Sequence, residues 1–166
     1  MSNFRKVKSE SIVYRYLLIA LLQSVALIGL SQNESLKFEH LSTTEGLSQS
    51  HVTCILQDHQ GFMWFGTQSG LNKYDGYKFT VYINSPEDST SLGHNFIRDL
   101  AEDSEGNIWI ATAGGGLSVL DGKRKSFTNY KHSESRVSIA SDYLANLTLD
   151  DSGDIWIATC RRRRQI

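Results

Sequence analysis

The sequence predicts an all-β fold: an incomplete β-propeller of about two and a half blades, each a four-stranded antiparallel sheet, after an N-terminal signal helix. Three observations predict it. The pattern Asp-x-x-Gly-x-x-Trp-x-(Gly/Ala)-Thr occurs three times without a gap. Short runs rich in Val, Ile, Phe, Tyr and Trp alternate with Gly, Asp and Ser turns. The region beyond the N-terminal segment lacks the length, caps and spacing of helices.

The repeat extends well beyond this pattern. Trp64, Trp109 and Trp156 are 45 and 47 residues apart. An apolar residue stands at each of three fixed positions before every Trp, and these residues are Leu47, Leu92 and Ile139, then Val52, Ile97 and Leu144, then Ile55, Leu100 and Leu147. The sequence therefore predicts one repeat over 47–91, a second over 92–138 and a partial third over 139–159.

Each repeat contains enough short runs for one blade. In the first repeat they are Val52 to Leu56, Met63 to Gly66, Leu71 to Tyr74 and Phe79 to Ile83. Turn residues bound all four runs, which favours strands over helices. Four antiparallel strands in about 45 residues are typical of a propeller blade.

The residues of the repeated pattern have structural roles in this prediction. The Asp carboxylates would accept backbone N–H bonds in the turn between the first two strands, and the Gly residues would adopt positive φ. The Trp indoles would pack between neighbouring blades, and the small residue two positions later would allow the sheets to approach closely. These residues are Asp58, Gly61, Trp64 and Gly66, then Asp103, Gly106, Trp109 and Ala111, then Asp150, Gly153, Trp156 and Ala158.

The N-terminal segment, residues 1–31, has the features of a secretory signal peptide. Four basic residues lie in the first 15 positions, and an apolar run follows from Tyr16 to Leu30. Gly29 and Ser31 are small residues placed correctly for a cut before Gln32. We therefore expect export to the periplasm, with a retained membrane anchor as the alternative.

Residues 32–46 are expected to lead into the first repeat. Phe38 to Leu41 occupy the position that Phe79 to Tyr82 and Phe127 to Tyr130 hold before later repeats. They therefore predict a lone strand of the kind that completes a terminal blade.

The C-terminal tail, residues 160–166, departs from the repeat. Cys160 to Ile166 read CRRRRQI, where the second repeat continues AGGGL. Arginine codons become glycine codons when read one base later, so a frameshift is one hypothesis for this tail. A basic tail for anionic lipid or nucleic acid is the alternative, and it has no interleaved aromatic residues.

Composition and scattered polar residues exclude several other classes of site. The formal net charge is −1, which gives no electrostatic reason to expect nucleic acid as a partner. The five His residues show no metal-ligand spacing, and Cys54 and Cys160 are too few for a zinc site. We expect no catalytic residue, no cofactor and no metal, and an inert thiol at Cys54.

Ligand contacts, if the chain makes them, are expected from connecting loops. The candidates are the connections Asn84 to Gly93 and His132 to Ser141 and the turns Gln68 to Gly70 and Ala113 to Gly116. The sequence selects no individual ligand-binding residue among them.

The units Gly46 to Gly76 and Asn95 to Gly122 closely resemble the two-component regulator propeller repeat. That resemblance implies the exported sensor region of a hybrid two-component regulator, which precedes a membrane span, a histidine kinase and a response regulator. It further implies recognition of an extracellular ligand, typically a glycan fragment, and no kinase activity in this region.

The chain departs from that family in its extent, because family sensors carry many blades. We expect open blade edges and faces, and hence poor stability or self-association. Two other interpretations stay open: a fragment of a propeller enzyme such as a polysaccharide lyase or sialidase, and a non-functional frameshifted remnant. Convergent acids, bases or arginines of the kind that such enzymes need do not recur in the repeats.

Overall fold

A computed structural model describes residues 14–21, 36–123 and 125–160. The chain divides into two compact units, residues 1–39 and residues 40–166. In the first unit, residues 14–21 are helical and exposed. The expected cleavage site at Gly29 and Ser31 and the arginine tail after Cys160 lie outside the described residues. Among the described residues, no helix is long and apolar enough to cross a membrane.

The second unit begins with a short turn and a four-stranded sheet. A 3-10 turn covers Thr43–Glu45 and is capped by Ser42, whose side chain accepts the Thr44 N–H. The four strands that follow are β1 (Val52–Gln57), β2 (Met63–Thr67), β3 (Gly70–Tyr74) and β4 (Phe79–Tyr82). They are antiparallel and lie in the order β1-β2-β3-β4. The four predicted strands are therefore confirmed, with ends that differ by one residue.

The second repeat builds an equivalent sheet, and the third builds a hairpin. The second sheet is β5 (Ile97–Glu102), β6 (Ile108–Thr112), β7 (Leu117–Leu120) and β8 (Phe127–Tyr130), in the order β5-β6-β7-β8. The hairpin is β9 (Leu144–Leu149) with β10 (Ile155–Thr159). This arrangement confirms two blades and half of a third.

The strand register repeats as well. A β-bulge interrupts the first strand of each of the three repeats at an equivalent place. It lies between Val52 and Cys54 in β1, between Ile97 and Asp99 in β5, and opposite the Ala158–Thr159 step in β9. A bulge leaves one residue out of the ladder and increases the local twist of its strand. The three first strands are therefore bent in the same way.

Successive sheets pack face to face. The face of a sheet that carries its motif Trp is here called the leading face, and the opposite face is called the trailing face. The leading faces of the first and second sheets pack against the trailing faces of the second and third. The first interface contains a larger apolar cluster: Trp64, Leu71, Leu92, Ile97, Leu100, Ile108, Ile110, Leu120 and Phe127. The second contains Ala111, Leu117, Leu144 and Leu147, with Trp109, Ile155 and Ile157 partly buried against them. The apolar core is therefore a series of inter-blade layers.

The lead-in strand expected at Phe38 to Leu41 is wrong as a secondary-structure prediction. Residues 36–42 have no regular structure, and Phe38 is 80% exposed. A lone strand leaves its backbone groups unpaired, so it forms only beside a hydrogen-bonded neighbour. No described strand pairs with this segment.

Candidate functional site

One hydrogen-bonded arrangement occurs in all three motif hairpins. The Asp carboxylate accepts the indole N–H of the Trp six residues later through Oδ2, at 2.8 Å for Asp58, 2.7 Å for Asp103 and 2.8 Å for Asp150. Through Oδ1 it accepts the backbone N–H groups two and four residues on, at 2.8 to 3.0 Å. Each carboxylate therefore holds its turn and its indole together.

Glycine completes the same turn. Gly61, Gly106 and Gly153 have φ of 88°, 81° and 86°, a region that residues with a Cβ rarely adopt. Each donates its N–H to the carbonyl of the motif Asp, at 2.8 to 3.0 Å. The indole–carboxylate bond is a feature that sequence reasoning missed, although the fixed Asp-to-Trp spacing was a signal for it.

These hydrogen bonds stabilise the charged form of the carboxylates. For Asp103, burial favours the neutral acid, but hydrogen bonds from Trp109 and Asn107 outweigh it and hold the pKa below its ordinary value. For Asp150, the Trp156 indole and then the Asp154 amide lower the pKa. A carboxylate whose oxygens are occupied in this way is a poor general base, which favours a structural role for the motif.

The three indoles differ in burial. Trp64 is 0% exposed between the first two sheets, Trp109 is partly buried against the β9–β10 hairpin, and Trp156 is 64% exposed. Packing between blades was predicted for all three, and Trp156 does not show it because no described sheet lies against its leading face. The burial of each indole thus depends on the sheet that follows it.

The burial of the small residue two positions after each Trp also decreases from the first interface to the third hairpin. A Cβ added to Gly66 would meet Cys54 Sγ and would lie 2.7 Å from Ile97 Cγ2. Ala111 is fully buried, whereas Ala158 is exposed. The close approach that requires a small residue is therefore shown at the first interface.

The candidate ligand loops share one end of the sheets. In an antiparallel sheet, alternate connections lie at opposite ends of the strands. The motif turns 58–62 and 103–107 therefore lie at one end, together with residues 75–78, 121–123 and 125–126. The opposite end, here called the loop face, carries residues 68–69, 83–96, 113–116 and 131–143.

Two Asx residues tie the loop face together, and sequence reasoning missed both. The Asn95 carbonyl accepts the Gly70 N–H at 2.9 Å, and its Oδ1 accepts the Asn84 N–H at 2.6 Å. Asp142 has the same role one repeat later. Its carbonyl accepts the N–H groups of Gly114 and Gly116, and its Oδ1 accepts the backbone N–H of His132. Both residues stand 14 positions before a motif Trp, a shared polar position that could have revealed them.

The connection 84–93 packs along the outer strand of the second sheet. Phe127 in β8 donates its N–H to Thr90 O at 2.9 Å, and Asn129 Nδ2 donates to Ser91 O at 2.9 Å. Gly93 donates its N–H to Ser118 Oγ at 3.1 Å. This connection therefore contacts β8 along its length instead of extending into solvent.

A cavity lies on each side of this connection. A polar cleft of about 550 Å³ is lined mainly by Asn84, Ser85, Asp88, Ser89, Asn129 and Lys131. A smaller cavity of about 270 Å³ is lined both by apolar and by polar residues, which are Val81, Tyr82, Ile83 and Phe127 and then Asp88, Thr90, Ser91 and Lys125. Asp88 and Ser91 border both. The structure therefore gives one of the four candidate loops the concave shape that ligand sites have.

In the described part of the chain, the connection 132–141 has no equivalent outer strand to pack on. Its hydrogen bonds are mostly internal, such as Ser138 Oγ to Ser133 O at 2.7 Å and His132 Nδ1 with Ile139 O at 2.8 Å. Val137 is 95% exposed. The same loop position is thus supported in one repeat and unsupported in the next.

The remaining polar residues do not form a second kind of site. Among the described residues, no three His, Cys, Asp or Glu side chains lie close enough to hold a metal ion. Cys54 and Cys160 are free. Burial raises the pKa of the Cys54 thiol to about 11, which disfavours the reactive thiolate.

Comparison with known proteins finds the same repeat in other chains. A family model described as "two component regulator propeller" matches residues 46–69 and 91–114. A curated relative, "Histidine kinase P4" of Formosa agariphila, is 50% identical over 62 residues, which are 37% of this chain and 4% of that protein. The chain thus spans a small part of the length of this relative.

Solved structures show the same architecture. The extracellular domain of BT3049, assigned to a hybrid two-component system of B. thetaiotaomicron, matches with a TM-score of 0.66 and 32% identity. The match covers 72% of this chain and 17% of that one. The extracellular domain of BT4673 from B. thetaiotaomicron matches with a TM-score of 0.59 over 80% of this chain and 19% of that one. Its identity of 19% supports the fold alone.

The sequence match and the fold therefore agree: this chain contains two two-component regulator propeller repeats, each within one four-stranded sheet, followed by a β-hairpin with the same Asp and Trp pattern.

Proposed function

We propose that this chain is the N-terminal piece of the exported input domain of a hybrid two-component sensor, where it helps to bind an extracellular glycan fragment. The single observation that carries the proposal is the repeated blade, which it shares with the extracellular domain of a hybrid two-component system at 32% identity. The arrangement of residues before the first repeat supports export.

The chemistry of the described residues favours binding over catalysis. The motif carboxylates are occupied by indole and backbone N–H groups. The loop face carries the polar cleft beside residues 84–93, and ligand sites in propellers occur on such loops. The chain therefore contributes recognition, and kinase activity belongs to parts of the sensor outside this sequence.

A genetic experiment tests this function in the host bacterium. Deletion of the gene should abolish the transcriptional response to one polysaccharide in a panel offered as the sole carbon source, and the intact gene should restore it. Alkaline phosphatase fused after Thr159 should be active, because that enzyme folds only outside the cytoplasm. An unchanged response to every polysaccharide, or an inactive fusion, would contradict the proposal.

A further inference from the structure

We infer that the polar cleft between the connection 84–93 and the end of β8 binds a saccharide unit, with Lys131, Ser85, Ser89 and Asp88 as its ligand-contacting residues. This inference rests on the proposed function and gives it a place in the first two blades. The cleft volume of about 550 Å³ lies within the range of small-molecule sites.

The wall of the cleft is fixed before a ligand arrives. Ser91 Oγ accepts the Ser85 N–H at 2.9 Å and lies 2.7 Å from Asp88 O. Asn84 Nδ2 donates to Leu92 O at 2.6 Å, and Asn129 Nδ2 donates to Ser91 O at 2.9 Å from the second sheet. A loop closed on itself and bonded to a sheet loses little further entropy when it binds a ligand.

Several polar groups of this wall are not used by the fold. In the described part of the chain, no hydrogen bond or ion pair occupies Lys131 Nζ, the Ser85 and Ser89 hydroxyls or Asp88 Oδ2. Asp88 Oδ1, in contrast, accepts both the N–H and the hydroxyl of Thr90, at 2.9 and 2.6 Å. The free oxygen of a carboxylate oriented in this way is available to accept hydrogen bonds from a ligand.

The free groups define the class of ligand. An ammonium donates, a carboxylate oxygen accepts, and serine hydroxyls do both, so together they match a molecule that carries several neighbouring hydroxyl groups. The smaller cavity across the same connection places two aromatic rings, Tyr82 and Phe127 at 5.7 Å from each other, beside polar residues that include Lys125. Sugar rings have hydroxyl edges and apolar C–H faces, so a second unit of a glycan could extend from the polar cleft toward these rings.

Saturation-transfer NMR on the full chain tests the inference with glucose, galactose, glucuronate, cellobiose and lactose as probes. Signals of the bound sugar should appear for at least one probe. Lys131→Gln and Ser89→Ala should each weaken its affinity at least about fivefold, a loss of roughly 1 kcal/mol. Arg136→Gln is the matched control, because it removes one positive charge from the other connection of the same loop face.

The outcomes separate this site from the proposed function. If binding is lost with Arg136→Gln and kept with Lys131→Gln, the sugar binds at the connection 132–141. This result would contradict the proposed binding site in the cleft but not the proposed sensor function. If none of the probes shows saturation transfer, the proposed binding site in the cleft is contradicted. The polysaccharide response of the host then tests the proposed function separately.

Discussion

The interface between the first two sheets and the open leading face of the β9–β10 hairpin carry the same motif in different surroundings. Trp64 and Trp156 each donate the indole N–H to a motif Asp at 2.8 Å, yet Trp64 is 0% and Trp156 is 64% exposed. The hairpin therefore forms its internal hydrogen bonds whether or not a following sheet covers it. Burial of the Trp is a property of the pair of blades.

The polar links between blades also differ from one interface to the next. Thr53 Oγ1 donates to Ile97 O at 2.8 Å across the first interface. Across the second, Asp99 Oδ2 accepts the Leu147 N–H at 2.8 Å and Asn146 Nδ2 at 2.6 Å. Both links lie on the first strands, so the inner edge of each interface is held by hydrogen bonds while the residues that supply them vary.

The largest expected effect is the contrast between Trp64→Ala and Trp156→Ala. Trp64→Ala should lower the free energy of unfolding by about 3 to 5 kcal/mol, because it opens a cavity in the larger apolar cluster. Trp156→Ala should lower it by about 1 kcal/mol or less, since the indole is mostly exposed. Urea unfolding of both variants measures the difference, and equal losses would show that the following sheet does not matter.

Asp103→Asn should destabilise the chain by about 1 to 3 kcal/mol at pH 7. Asn has only one side-chain oxygen that accepts hydrogen bonds, whereas both oxygens of Asp103 accept them. Either the Trp109 indole or the backbone N–H groups of the turn would therefore lose their acceptor. The folded pKa of Asp103 lies below its unfolded value of about 4. Its contribution is therefore present above that value and is lost as the pH falls through the folded pKa.

Unfolding measured from pH 7 to pH 2 tests both statements. The gap between wild type and Asp103→Asn should narrow steadily once the pH falls below about 4. A gap that stays constant down to pH 2 would mean that the carboxylate charge plays no part in the hairpin.

The open faces should cause weak head-to-tail association of this chain, because they leave the apolar side chains of Ile55 and Trp156 exposed. Ile55 is 59% exposed on the trailing face of the first sheet, where its equivalents Leu100 and Leu147 contact the preceding leading face. In a second copy, that trailing face would cover Trp156. Such an interface is heterologous and leaves one face open at each end.

Complementary variants identify the two faces. Ile55→Glu and Trp156→Glu should each weaken association at least tenfold, about 1.4 kcal/mol, in sedimentation velocity experiments. A mixture of the two should form heterodimers, because one intact trailing face and one intact leading face remain. A wild type that sediments as a monomer at all concentrations would contradict this prediction.

The smallest expected effect concerns the hydrogen-bonded contact between His59 and Glu102 across the first interface. His59 Nδ1 lies 2.7 Å from Glu102 Oε1, and the His59 N–H donates to Glu102 Oε2 at 2.8 Å. A double-mutant cycle with His59→Gln and Glu102→Gln should give a coupling of about 0.5 to 1 kcal/mol, since the His59 side chain is 60% exposed. The second interface has Ser104 and Leu149 at these positions, so it provides a natural reference without the pair. A coupling of zero would mean that only the backbone N–H of His59, and not its imidazole, contributes to the contact with Glu102.

The sequence by itself determined the repeat, the strand order within a blade and the turn chemistry. Strand ends came within one residue because alternating apolar residues and Asp and Gly turns act over short distances. The positive φ of Gly61, Gly106 and Gly153 follows from the same local rules.

Only the tertiary structure decided which equivalent positions are buried, which loop has a cleft and where blades are linked. Trp156 and the connection 132–141 have the same sequence signals as their counterparts in the earlier repeats. Among the described residues, however, neither has the neighbouring strand or sheet that covers the counterpart. Burial and pairing are properties of two surfaces in contact, and a repeat pattern describes only one of them.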